Sequence, residues 1–163
     1  MGCLGAGVAS PAGAAVGARA PSRQVAPPAV RYVPPVDAPV VDPFRPPATP
    51  YGPGNRGWEY ATAPGTAIRA AGAGDVVFAG RVGPASAVTV RHADGLRTSY
   101  SRLAEVAVAE GDVVAAGQVV GRSAERFHFG VRRGETYLDP AELFAASTPP
   151  PPRPRPRLVP LRP

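Results

Sequence analysis

The chain contains no lysine and a single cysteine, Cys3. The first absence excludes a lipoyl- or biotinyl-carrier domain, which needs a lysine to modify, although the glycine-framed apolar segments look similar to those of such domains. The second excludes an intramolecular disulfide and any zinc site built on cysteine. Long apolar runs are missing too, so no segment reads as a helix able to cross a bilayer. Acidic residues are outnumbered, 12 against 18 arginines, for a formal charge of +6. The excess lies at the ends. Residues 51–146 hold ten arginines and ten Asp or Glu, residues 1–50 four arginines and two Asp, and residues 147–163 four arginines and no acid. The central stretch is therefore neutral, which gives no footing for specific nucleic-acid binding, and the basic tail of Arg153, Arg155, Arg157 and Arg162 reads as solvated.

What is abundant is proline, 23 residues, and glycine, 19. The prolines crowd both ends, where they favour extended, weakly burying chain, so residues 21–50 read as a disordered linker and residues 147–163 as a disordered Pro/Arg-rich tail. Residues 1–20 are small and weakly apolar, and Ala18-Arg19-Ala20 has the small-x-small form of a signal-peptidase site. They read as a candidate secretory signal, with a disordered N-terminus as the alternative. The folded unit is then residues 51–146.

Inside that unit run short alternating apolar segments at 66–71, 75–82, 87–92, 96–103 and 111–121, broken by glycines. Such segments predict an all-β domain. The stretch from Gly65 to Ala71 is echoed from Gly111 to Gly117, which suggests a duplicated β unit closing into a sandwich or barrel-like fold. Ala93-Asp94-Gly95 predicts a tight hairpin, and Asp139 can cap a short helix opened by Pro140 and ending near Phe144. His92, at a strand end, reads as structural or solvent-facing, and Trp58 as a core or groove-wall aromatic.

Several motifs, in order, carry a resemblance: Gly54-Asn55-Arg56-Gly57-Trp58-Glu59, Pro64-Gly65-Thr66, His92-Ala93-Asp94-Gly95-Leu96, Thr98-Ser99-Tyr100, Glu110-Gly111-Asp112, Gly117-Gln118, His128-Phe129 and Tyr137-Leu138-Asp139-Pro140. They resemble the lysostaphin or LytM type of zinc metallopeptidase, a duplicated hybrid motif β domain that cuts peptides of bacterial peptidoglycan. In active members His-x-x-x-Asp and the second His of His-x-His bind zinc, and two further histidines assist the water and the transition state. The resemblance places Asn55, Glu59 and His128 at the metal positions and Arg102 and Arg126 at the assisting ones.

Four of these five positions are therefore substituted. An amide oxygen at Asn55 suits hard ions better than zinc, and guanidinium groups stay protonated, cannot serve as bases and repel a divalent cation. No cofactor is expected. Residues 122–125 are also shorter than the glycine-rich loop before His-x-His in active relatives, which predicts a groove more open on one side. The resulting expectation is a pseudo-peptidase of the secreted or cell-envelope kind, a binding or regulatory module. Its Arg102 and Arg126 would hold the carboxylate of a peptidoglycan stem peptide or a cell-wall protein, or simply pair with Glu59. The alternative is a weakly active zinc endopeptidase.

Overall fold

The computed structural model describes residues 29–49 and 52–147. The signal segment 1–20, the first part of the linker and the tail after residue 147 lie outside the described residues. Nine strands and one helix follow in chain order: β1 Val40–Asp42, β2 Gly57–Ala61, β3 Ala67–Arg69, β4 Gly74–Val82, β5 Ala85–Arg91, β6 Leu96–Val106, β7 Val113–Val114, β8 Val119–Arg133, β9 Thr136–Leu138 and α1 Pro140–Ser147. All pairings are antiparallel, in the order β1-β2-β8-β6-β5-β4-β7, with β3 and β9 also pairing with β8. The fold is the all-β one that the alternation predicts, with one short helix.

The two suspected repeats contribute β3 and β7. They meet through backbone bonds, Ala70 N to Gln118 O and Gly117 N to Ala70 O, both 2.8 Å. All strands nevertheless belong to one hydrogen-bonded network, because β8 is long enough to pair with β3 at its start and with β2 and β9 further on.

Alternation decides which residues reach the core. Along β8, Phe127, Phe129 and Val131 turn inward. Thr98 and Tyr100 on β6, and Val88 and Val90 on β5, share their face. Tyr60, Ile68, Leu103, Val120 and Leu143 complete a dry cluster. Its aromatic rings lie at 5.7 Å (Tyr60–Phe127), 5.5 Å (Tyr100–Phe129) and 5.9 Å (Phe129–Phe144), spacings at which ring contacts add to area burial. Helix α1 closes this side. Asp139 Oδ1 accepts from the Ala141 N–H at 2.9 Å, the cap its sequence position predicts, and from Trp58 Nε1–H at 3.1 Å. Trp58 packs against Tyr60 and Phe144, on the core side of β2 rather than in the cleft.

Two sequence readings need correction. The stretch taken as linker is, over residues 29–49, part of the packed unit. Tyr32 and Val36 are buried, Val33 N bonds to Ala71 O at 2.8 Å, β1 pairs with β2, and Arg45 bridges to Asn55. Proline keeps this strap extended, as predicted, but extended chain can lie along a sheet, and one tyrosine and one valine suffice to seat it. Residues 122–125, read as a shortened loop, belong to the continuous strand β8, with Arg122 paired to Ala67 and Glu105 and Ser123 to Leu103.

His92 is nearly inaccessible and holds the strap's landing site. Its Nδ1 faces the Ala73 carbonyl at 2.8 Å, so it must carry the proton, and Nε2 then accepts from the Thr98 hydroxyl at 2.8 Å. Thr98 Oγ1 accepts in turn from Tyr100 O–H at 2.9 Å, whose oxygen takes the Ala71 N–H at 2.7 Å. Burial depresses the His92 pKa, which keeps the ring neutral and the relay intact. Tyr32 stands edge-on to the His92 ring and donates its hydroxyl to Asp94.

Candidate functional site

The sheet face opposite the core carries the site. Register sets Glu59 of β2 opposite His128 of β8, and His128 opposite Ser101 of β6; one pleat along, Gly57, Gly130 and Ser99 align in the same way. Gly57 has no alternative here: a Cβ would lie 2.2 Å from the Phe129 carbonyl oxygen and 2.8 Å from His128 Cε1.

Arg102 reaches this face by a break in the pleat. Strict alternation would turn it into the core, but the register shifts between Ser101 and Leu103, and Arg102 adopts φ 64°, uniquely among the described non-glycine residues. The bulge leaves Ser101 and Arg102 both on the cleft side and returns Leu103 to the core. A non-glycine residue held at positive φ is strained, and such strain concentrates at functional sites.

Once placed, Arg102 grips Glu59 with both guanidinium nitrogens, Nη2 to Oε1 at 2.7 Å and Nη1 to Oε2 at 3.1 Å. Arg126 approaches Oε2 at 3.8 Å and is 61% exposed, whereas the Glu59 side chain is only 14% exposed. The fork-to-fork geometry makes this a charge-assisted pair that engages both carboxylate oxygens.

The other half of the site is neutral. Asn55, at the end of the loop before β2, is buried and donates its amide to the Asp42 and Pro43 carbonyls at 3.0 and 3.2 Å. Its Oδ1 therefore accepts, from Gly57 N–H at 3.3 Å and from His128 Nε2 at 3.2 Å. Burial lowers the His128 pKa, the Arg102 cation lowers it further, and Glu59 and Asp42 pull the other way. The net shift is downward, so the imidazole is neutral with its proton on Nε2. A cleft of about 440 Å³ opens over these groups, bounded also by Arg56, Ser99 and Tyr137, with the Arg56 guanidinium 5.8 Å from the centroid of the Tyr137 ring.

Four of the residues singled out in the sequence, Asn55, Glu59, Arg102 and His128, thus line one cleft, and the fifth, Arg126, reaches Glu59 from a neighbouring depression that it shares with Arg102. Residues 53–140, more than half of the chain, match the sequence model of peptidase family M23. The chain belongs to peptidase family M23. Among its relatives, the uncharacterised protein Rv2891 of Mycobacterium tuberculosis is 37% identical over 113 residues, covering 61% of this chain and 44% of that protein. The chain thus spans under half of that relative's length. Among solved structures, the antimicrobial peptidase lysostaphin from Staphylococcus simulans superposes with a TM-score of 0.59 at 25% identity, covering 68% of this chain and 51% of that one. A SpoIIIAH–SpoIIQ complex contains a chain matched with a TM-score of 0.60 at 27% identity, covering 70% of this chain and 99% of that one.

The M23 zinc can be tested against this donor set. Both Glu59 oxygens are taken by Arg102, and Asn55 Oδ1 already accepts two hydrogen bonds. His128 turns a protonated Nε2 toward Asn55, which leaves only Nδ1 with a lone pair. Among the described residues no three His, Cys, Asp or Glu side chains are grouped to hold an ion. One imidazole, an amide and a clamped carboxylate beside two arginines do not fit zinc.

Sequence reasoning missed Asp42 and Pro43, whose carbonyls anchor Asn55, and the hydroxyls of Ser99 and Ser101 on the cleft floor. The serines were visible as the polar members of the alternating 96–103 segment. Nothing in the proline-rich composition around Asp42 signalled a contact with the site.

Proposed function

We infer that this M23 domain binds the peptide part of peptidoglycan in its cleft without cutting it, as a cell-wall module of the envelope or exterior. The observation that carries the reading is the Glu59–Arg102 clamp at the position where active relatives use a metal-binding carboxylate. A protonated guanidinium neither activates water nor yields the carboxylate to a cation. A cleft still opens over these groups, and beside it the exposed Arg126 makes only a long contact to Glu59, so a ligand carboxylate has a cation to meet at the cleft's edge. Among the described residues no helix is long and apolar enough to span a membrane.

The experiment uses the full chain, loaded with zinc, dialysed and mixed with purified sacculi. The expected result is no retained zinc, co-sedimentation with the sacculi, no release of soluble peptide, and weaker sedimentation of an Arg126→Ala variant. Stoichiometric zinc lost on His128→Ala, together with peptide release, would overturn the reading in favour of a slow endopeptidase.

A further inference from the structure

The cleft continues past the five site residues, and its far end is built from arginines that the family motifs do not include. Register aligns Arg91 of β5 with Arg97 of β6, and Arg97 with Arg132 of β8, so three adjacent strands present a row of guanidinium groups on the cleft face. Arg91 has an exposed partner, Asp75 at 3.3 Å, and Arg132 a loose one, Glu135 at 3.9 Å. Arg97 has no acidic partner within salt-bridge distance among the described residues, and the Arg132 Nε–H is buried without an acceptor. Five residues along β6 from Arg97 stands the second bank, Arg102, with Arg126 of β8 beside it on the shared Glu59 carboxylate. At roughly 3.3 Å per residue the two banks are about 16 Å apart. Between them the floor is short and hydroxylic, Thr89, Ser99 and Ser101, and one side is walled by exposed Phe78 and Val82. A cleft of about 450 Å³ touches Arg132 at one end and Arg102 at the other, with Arg97 and Arg126 standing beside these ends rather than lining it.

We propose that this face of the sheet selects an extended peptide carrying two carboxylates about five residues apart, one for the Arg97–Arg132 row and one for the Arg126 end. The inference rests on the binding role given to the site above and adds the chemistry of its ligand. Charge complementarity chooses the occupant. The chain's own tail, with four arginines and no acid, is repelled by both banks. The apolar wall suits a peptide with aliphatic side chains better than a phosphate polymer, which has nothing to bury there.

The test titrates the full chain with the peptide acetyl-Glu-Ala-Ala-Ala-Ala-Glu-amide, its Gln-for-Glu counterpart, and inorganic polyphosphate, by calorimetry at low and physiological salt. The acidic peptide is expected to bind at least about tenfold more tightly than the Gln peptide, and to lose about tenfold in each of Arg97→Gln and Arg126→Gln, because each removes one charge-assisted contact. Both variants change exposed or half-exposed side chains, and unaltered thermal unfolding serves as the folding control. Equal binding of the two peptides overturns the proposal, as does an unaffected Arg97→Gln variant. Preference for polyphosphate overturns it in favour of a polyanion site. Sacculus binding that survives Arg97→Gln while the acidic peptide fails to bind sinks this inference and spares the binding role. Peptide binding without sacculus binding does the reverse.

Discussion

Arg102 combines two opposed contributions, and separating them tests the site's geometry. Its φ of 64° costs an L-residue about 1–2 kcal/mol, which glycine does not pay. Its bidentate pair with Glu59 offsets this. A fully exposed pair is worth about 0–1 kcal/mol and hydrogen bonds to charged groups about 1.5–3 kcal/mol. With Glu59 mostly covered and Arg102 46% exposed, the pair belongs between these limits, roughly 1–2 kcal/mol. Arg102→Ala loses the pair and keeps the strain, so it should fall by about that amount. Arg102→Gly loses the pair and sheds the strain. The glycine variant should therefore be more stable than the alanine variant by about 1 kcal/mol, whereas inside an ordinary strand glycine is worse by about 0.5–1 kcal/mol. Urea unfolding followed by the fluorescence of Trp58, the sole tryptophan, reads the difference directly. With a slope of about 2 kcal/mol/M the glycine midpoint should lie about 0.5 M higher. An alanine variant that equals or exceeds the glycine variant, with unchanged slopes, would refute the strained bulge.

Three further predictions concern the histidines and the strap. In ¹⁵N-detected NMR His128 should appear as the Nε2–H tautomer and His92 as the Nδ1–H tautomer; a shared tautomer would contradict one of the two hydrogen-bond networks. Both rings have folded pKa values below 6.5, so the unfolded chain takes up protons first. Their contribution is complete above that value and is lost as pH falls below it toward the folded values, and unfolding free energy should drop between about pH 7.5 and about pH 5.5, less so in a His128→Asn variant. A flat profile would contradict the depressed values. Deleting residues 1–50 removes Tyr32 and Val36 from the core, at a cost of about 3 kcal/mol or more, and should lower the thermal midpoint by more than about 10 °C. An unchanged midpoint would mean that the strap contributes nothing.

The strands and the gathering of the five site residues were legible because both depend on local pattern: alternation marks the cleft face, and family motifs mark positions. Glu59 pairing with Arg102 followed from opposite charges at neighbouring motif positions. What was hidden depends on register between distant segments. Arg91, Arg97 and Arg132 look like scattered surface residues until three strands align them. The bulge at Arg102 could not be read from Ser-Arg-Leu, since an alternating pattern gives no warning of an inserted residue. The strap was missed because proline-rich composition reports conformation but not contact, and Tyr32 finds its partners some sixty residues later, at His92 and Asp94.

The central position of β8 also fixes an order of events during synthesis. Strands β4, β5 and β6 are consecutive hairpins and can pair as each leaves the ribosome, but β2 and β3 have no sheet neighbour on their inner side until β8 arrives. The emerging chain must therefore carry β2 paired only with β1, and β3 without a strand partner, while about fifty residues are added. Closure is a late, long-range step of the kind that folds slowly. Glu59, Arg102 and His128 lie on β2, β6 and β8, so the cleft comes into being only at that step, and a nascent chain has nothing with which to seize a ligand before its sheet is finished.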